Sequence, residues 1–350
     1  MLDRVDEAVR LLDEVEEEAK AEGMAVELSR LHTLRANIHF PRGEIERCLA
    51  EHSEALRLAE AAGAAEEQAR ALGGLADAYY MRGLYKTTAR MFHRCVDVSF
   101  ARGFKRIEAA NLPMLAIMVM FELRFSEARA MAERAVLLAD QIGHRRAAMI
   151  GHHARFFLCF DLGEPAEAGR SVATALEIAE ALQARRFIAE GLLFRAVLEH
   201  AAGEPRARKT LEDGLAIARE HPFYLLPYGL GLQAMMTEDP GERTAALAEG
   251  EALIAGGAVT HNIPLFGRAA IEACLNAKDW SGAERQADAL LRGLAAEPLP
   301  MTDFLVARAR ALVAAGRGQA NPGELCRLLA EARAVGWKAV LPALEAAAAR

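Results

Sequence analysis

Apolar residues recur three and four positions apart along most of the chain. Leu2, Val5, Val9, Leu12 and Val15 form one such stripe at the N-terminus, the spacing that lines up side chains on one face of a helix. No hairpin dipeptide stands between stretches of alternating apolar and polar residues, so strands are not expected. A second, longer period lies over the helical one. Glycines stand at 23, 63, 103 and 143, and again at 43, 83, 163 and 203, in steps of 40 residues or a multiple of 40, with Leu123 at the gap. A period of this size marks stacked repeats, each unit too small to bury its own apolar face.

From residue 24 the chain divides into units 24–63, 64–103, 104–143 and 144–183, with a fifth from 184 that closes near His221-Pro222. Each is predicted to hold two helices, one glycine turning the chain in the middle and one at the end. Small residues recur where the helices must approach: Ala36, Ala76, Ala116 and Ala196 in the first helix, and Ala55, Cys95, Ala135 and Ala175 in the second. Leu56, Val96, Val136 and Leu176 follow the second set and are expected to fill the groove beside each crossing. After Pro222 the pattern loosens. Residues 223–236 are apolar but carry Pro227 and two glycines, and 242–254 reads as the partner helix. A clearer pair surrounds Trp280, whose expected packing role matches that of Tyr85, and a last pair is followed by an alanine-rich tail. The expected organisation is an unpaired or capping helix over 1–23, five regular repeats over 24–222, and divergent repeats with a capping tail over 223–350, all in one superhelix. Because the opening helix reads as the second member of a pair, the preferred expectation is a fragment or effector module whose repeats begin upstream. An unusual capping helix is the alternative.

The second unit, LGGLADAYYMRGLYKTTARMFHRCV, resembles the tetratricopeptide repeat: Leu75-Ala76, Tyr79, Gly83, Tyr85, Phe92 and Cys95-Val96 fall at that family's spacing. The first unit fits through Ala36, Gly43, Ile45 and Ala55-Leu56. The fourth departs from it, with Phe156 at a position where a small residue is usual. The 40-residue unit is similar to the helical arrays attached to bacterial signal-transduction ATPases, transcriptional activators and class III nucleotide cyclases. The resemblance implies an all-α, right-handed α-solenoid whose first helices line a concave groove. Matched positions place Arg30, Thr33, Asn37 and Phe40 there, then Arg70, Gly73, Asp77 and Tyr80, then Pro113, Ile117, Met120 and Phe121, then Ile150, His153, Phe157 and Phe160, and last Glu190, Leu193, Val197 and His200. Of these, Asn37, Asp77, Tyr80, Ile117, Met120, Phe121, His153, Phe157, Phe160 and His200 are the candidate partner-binding residues. The aromatic and methionine members form an expected apolar patch suited to a peptide or amphipathic helix; the alternative is that they pack against the neighbouring helix. If the patch is open, Phe157→Glu with Met120→Glu abolishes partner capture and leaves melting unchanged. Thr33 beside Asn37 stands where a carboxylate-gripping lysine would be needed, so chaperone-tail binding is not expected.

Composition narrows the function. The 350 residues carry a formal charge of -7, which argues against a nucleic-acid surface; the cluster His144-Arg145-Arg146 reads as a solvated helix start. The N-terminus is acidic and amphipathic, unlike a signal peptide, and the longest apolar run, 109–121, is too short to span a bilayer. Five scattered cysteines without a C-x-x-C pair fit a reducing compartment, and the cytoplasm is the expected location. There is no phosphate loop, no H-E-x-x-H and no G-x-S-x-G. His152-His153 with Cys159 is the densest set of potential metal ligands, but adjacent helical positions diverge by about 100°. No nucleophile, base and orienting group come together. The expectation is therefore a non-enzyme with no cofactor and no metal. It is a protein-interaction module for a partner peptide or helix in bacterial signalling, or else the sensing module of a larger signalling ATPase, cyclase or transcription regulator.

Overall fold

The computed structural model describes residues 5–349, and these are helical throughout, with no strand. Leu2 lies outside the described residues. Helix α1 (Val5–Ala21) precedes the first pair. Pairs then follow in order: α2 (Ala25–His39) with α3 (Ile45–Ala61), α4 (Ala65–Met81) with α5 (Tyr85–Arg102), α6 (Lys105–Phe121) with α7 (Phe125–Gln141), α8 (Arg145–Asp161) with α9 (Pro165–Ala181), and α10 (Arg185–Ala201) with α11 (Ala207–Ala218). The first helices begin at 65, 105, 145 and 185, which is the 40-residue step. Less regular pairs complete the α-solenoid: α12 (Pro222–Met236) with α13 (Pro240–Ala255), α14 (Asn262–Asn276) with α15 (Trp280–Gly293), and α16 (Pro300–Gly316) with α17 (Pro322–Val335), before α18 (Leu341–Ala348).

The turn glycines sit in the left-handed region, Gly83 at φ 71°. There the Leu84 N–H donates back to the Tyr79 carbonyl at 3.1 Å, the reach-back bond that closes a helix on a left-handed residue. Leu123 makes the same turn at φ 62°, with Arg124 N–H on Val119 O at 3.3 Å. The gap in the glycine series is thus a gap in residue type and not in structure, held at a cost of roughly 1–2 kcal/mol for the side chain. Gln183, at φ 50°, continues the unit-end series in the same way.

All eight small residues at the predicted crossings are fully buried. Two of the four larger residues after them seat on glycines of the next unit: a Cβ on Gly151 would lie 2.9 Å from a Val136 methyl, and one on Gly191 would lie 2.6 Å from a Leu176 methyl. Phe156, the misfit of the fourth unit, is accommodated because Phe194 stacks on it with ring centroids 4.3 Å apart.

The divergent part departs from the expectation of a weak helix at 223–236. Helix α12 is continuous, and its repair at Pro227 is supplied by Asn262. Pro227 has no N–H for the Phe223 carbonyl, and Val259 N–H donates to that carbonyl at 2.9 Å instead. Asn262, fully buried, accepts from Tyr228 N–H at 3.3 Å and donates to Tyr224 O at 2.8 Å. Trp280 packs on Gly316, where a Cβ would lie 2.4 Å from its ring.

The largest departure is in the course of the superhelix. After α12 the chain turns back and closes onto its own concave face. Thr260 lies against Gly83, accepts from the Tyr85 hydroxyl through its carbonyl at 3.1 Å, and donates through its own hydroxyl to Met81 O. Glu297 takes both the N–H and the hydroxyl of Thr87, at 3.0 and 2.6 Å. Buried Asp161, at the end of α8, accepts two bonds from Arg268, at 2.6 and 3.1 Å, and a third from the Trp337 indole N–H at 3.0 Å. Burial works against the Arg268 charge, but Asp161 outweighs it and raises the Arg268 pKa. Trp337, completely buried, packs between Phe125 and Phe304.

Candidate functional site

Closure converts the groove into a cavity of about 780 Å3, within the range of roughly 300–1,000 Å3 of small-molecule and cofactor pockets. One wall comes from the first helices of the regular units and the other from α12, α14 and α16. Of the ten sequence-predicted residues, Asn37, Asp77, Tyr80, Ile117, Met120, Phe121, His153, Phe157 and Phe160 line it; His200 does not. His200 is exposed at the end of α10, beyond the reach of the cavity. Among the other groove positions, Leu193 is fully buried between helices and Pro113 is buried within α6, while Arg30 is drawn off by Glu67 at 2.8 Å.

The expected open apolar patch needs correction. Ile117, Met120 and Phe121 are 7, 3 and 6% exposed and share one core cluster with Met301, Leu305 and Trp337. The chain's own C-terminal helices cover them. Met120→Glu therefore buries a charge and is expected to lower melting, whereas Phe157 and Phe160 are half-buried and face the cavity.

The cavity wall carries an apolar and a polar group of residues. Phe157, Phe160, Leu232, Met235, Leu265 and Leu305 contribute to the apolar group. The polar group is built on α4, α8, α10 and the residues before α14. His261 stacks on Tyr80, ring centroids 5.7 Å apart and nearly parallel. Burial drives the His261 pKa down to about 4, opposed by Glu190, so the ring is neutral at pH 7. Burial, with Glu190 and Asp77 nearby, raises the Tyr80 phenol and keeps it protonated. Asp77 is pushed up to about 6 by burial, against the pull of Arg146 and Arg186. Glu190 resists burial through His153, whose Nδ1 lies 3.3 Å away, and through Arg186 and His261, and its pKa is lowered. Gly73 and Gly74 are part of the same wall: Cβ atoms there would lie 2.6 Å from the Asn111 side chain and 2.1 Å from the His52 ring.

Sequence reasoning missed Arg106, Arg146, Arg186, His52, Asn111 and the whole C-terminal wall. The arginines carried a usable signal, since they recur at the 40-residue step. The C-terminal wall carried none, because closure joins positions about as far apart in sequence as Tyr85 and Thr260. His152 and Cys159 do not meet a third ligand: among the described residues no group of three His, Cys, Asp or Glu side chains could hold a metal. No helix among them is long and apolar enough to cross a membrane.

The same fold is present in Rap proteins. A Rap protein complexed with competence and sporulation factor matches with a TM-score of 0.64 at 14% identity, over 82% of this chain and 81% of that one. The apo form of RapI gives 0.60 at 12% identity, over 76% and 97%, and aspartyl phosphate phosphatase F from Bacillus subtilis gives 0.55 at 8%, over 73% and 66%. At these identities the likeness is one of fold, a tetratricopeptide-like helical solenoid. No protein-family model and no curated protein matches the chain.

Proposed function

We propose that this chain is a protein-interaction module of a bacterial signalling system, and that it takes a short peptide segment into the cavity between its regular and divergent repeats. The supporting observation is the cavity itself: about 780 Å3, lined by apolar and charged residues drawn from both halves of one chain. The fold adds weight, because a Rap protein of this architecture has been solved in complex with competence and sporulation factor. The work asked of the residues is binding: apolar side chains contribute area, and the rings of Tyr80, Phe157 and Phe160 fix orientation.

Selection of short peptides from a displayed random library on the purified chain tests this. Selected peptides should compete with one another and lose affinity by about tenfold or more, near 1.4 kcal/mol, on Phe157→Glu, compared at a temperature where circular dichroism shows both proteins fully folded. Absence of any competing set, or indifference to Phe157→Glu, would overturn it. A second reading, that of a sensing module in a larger signalling ATPase, cyclase or transcription regulator, draws support from the exposed Leu11, Val15 and Leu34 on α1 and α2, an apolar face suited to a docked neighbour.

A further inference from the structure

Three first helices start with two basic residues each: Lys105-Arg106, Arg145-Arg146 and Arg185-Arg186. The second of each pair lines the cavity. Cations at a helix N-terminus oppose the helix dipole, typically by about 0.3–1 kcal/mol each, so the array gives up local stability at the same place in three successive repeats. Departures from local preference of this kind gather at functional sites.

The other cavity arginines are all neutralised. Arg70 meets Glu66 and Glu67, Arg268 meets Asp161, and Arg308 meets Glu272. Among the described residues Arg106, Arg146 and Arg186 are within 4.0 Å of no carboxylate. Their placement is nonetheless built. Arg186 lies between two rings, 4.6 Å from the Phe187 centroid and 4.7 Å from that of Tyr224, and Arg146 lies 5.6 Å from the same Phe187 ring. Stacking on aromatic faces fixes a guanidinium plane and leaves its N–H edge free for an acceptor. Burial, then Arg106 and Arg146, lowers the His144 pKa. Arg106 and Arg146 are exposed and Arg186 is half-buried; partial desolvation, then Arg186, lowers the Arg146 pKa while Asp77 opposes. Two cavity carboxylates face this group: Asp77, which feels Arg146 and Arg186 and has no ion-pair partner among the described residues, and Glu190, which feels Arg186 but is paired with His153.

A second, independent observation points the same way. His153, 3% exposed, lines the cavity with Nδ1 turned to Glu190 and Nε2 without a hydrogen-bond partner. His52, 1% exposed, likewise lacks a partner at Nδ1. Buried polar atoms in folded proteins are nearly always satisfied, and both of these side chains line the cavity, where a bound group can supply the partner.

We propose that Arg106, Arg146 and Arg186 form an anion-recognition ladder in the polar part of the cavity wall, so that the bound peptide carries an acidic group seated on these guanidiniums and apolar side chains toward Phe157 and Phe160. The peptide part rests on the function proposed above; the anion preference does not.

Two fluorescent probes of one shape separate them: 8-anilinonaphthalene-1-sulfonate, which is anionic, and N-phenyl-1-naphthylamine, which is neutral. The parent protein should bind the sulfonate about tenfold or more tighter. Arg146→Gln with Arg186→Gln should erase that preference while leaving affinity for the neutral probe within about twofold, which also reports an intact cavity; a tenfold change is about 1.4 kcal/mol, the scale of one charge-assisted hydrogen bond. Equal binding of both probes by the parent, or a sulfonate preference that survives the double substitution, would overturn the ladder. Competition by an N-acetylated leucine- and phenylalanine-rich pentapeptide ending in aspartate, against its lysine counterpart, then tests the peptide. Displacement by the acidic form supports the whole proposal. Stronger displacement by the lysine form overturns the acidic-peptide assignment. Displacement by neither, with the sulfonate preference intact, overturns the peptide reading and keeps the ladder.

Discussion

The regular repeats and the divergent repeats solve the same packing problem by different means. Over 24–222 each helix meets its sequence neighbours, and the contacts recur: a fully buried alanine or cysteine at eight of the crossings, then Val136 on Gly151 and Leu176 on Gly191. Such an array is held by local, repeated interfaces. Over 223–350 the decisive contacts are singular and distant: Thr260 on Gly83, Glu297 on Thr87, and Arg268 and Trp337 on Asp161. The regular part makes a concave surface; the divergent part makes it a cavity. Loss of the repeat pattern after Pro222 is therefore a change of task, from stacking to closure.

The closure depends most on Asp161. Asp161→Ala leaves Arg268 without its counter-charge and the Trp337 indole N–H without an acceptor. Removing one partner of a buried pair costs about 3–5 kcal/mol. Hydrogen exchange should show protection lost in α14, α16 and α18 while α4 to α9 stay protected; uniform loss would mean that the two parts fold as one cooperative body.

Acid should weaken both parts. Burial lowers His52, His152 and His261 to about 4, below the usual 6.5. A histidine held neutral in this way contributes stability that is present above pH 6.5 and is lost as pH falls toward 4, on the order of 1–3 kcal/mol each. His52 and His152 belong to the regular array, whereas His261 joins the two parts through Tyr80. Chemical denaturation at pH 7 and pH 5 should show His261→Phe reducing the loss of stability for the closure; an unchanged pH dependence would contradict this.

Asp77 has the opposite sign. Its folded pKa of about 6 exceeds the ordinary 3.8 because of burial, so the acid form is favoured on folding and stability is lost as pH rises through 6. Asp77→Asn should stabilise the protein at pH 7 by about 1–2 kcal/mol, with the difference vanishing below about pH 4. A destabilised variant would show Asp77 to be held by its arginines more strongly than burial opposes it.

Much of this was legible in the residues, and the limit has a physical cause. The glycine ruler marks turns because left-handed backbone favours glycine, and the crossing alanines are legible because only small side chains fit there. Leu123 and Gln183 show that the turn outlasts the glycine. Nine of the candidate site residues line the cavity because the first-helix face is set by local period; His200 falls out because it is exposed on the last turn of α10. That Met120 and Phe121 would be covered was invisible, since Met301, Leu305 and Trp337 reach them only through closure. The arginines at 106, 146 and 186 were legible as a period, but a solvated helix start has the same sequence pattern.

The smallest effect tests the turns alone. Leu123→Gly should stabilise by about 0.5–1 kcal/mol, by relieving the strain at φ 62° net of added freedom in the unfolded chain. Unchanged or lower melting would show that the Leu123 side chain, which packs against the main core cluster, contributes more than the strain costs.

The central claim is that both parts of the chain enclose one ligand site. Photo-crosslinking tests it most directly, using a library-selected peptide that carries a benzophenone and mapping its attachment sites by mass spectrometry. Attachment to residues of both walls, Phe157 or Phe160 on one side and Met301 or Leu305 on the other, is the predicted result. Attachment confined to outward residues such as Phe100 and Leu137, which are 64 and 63% exposed, would contradict it.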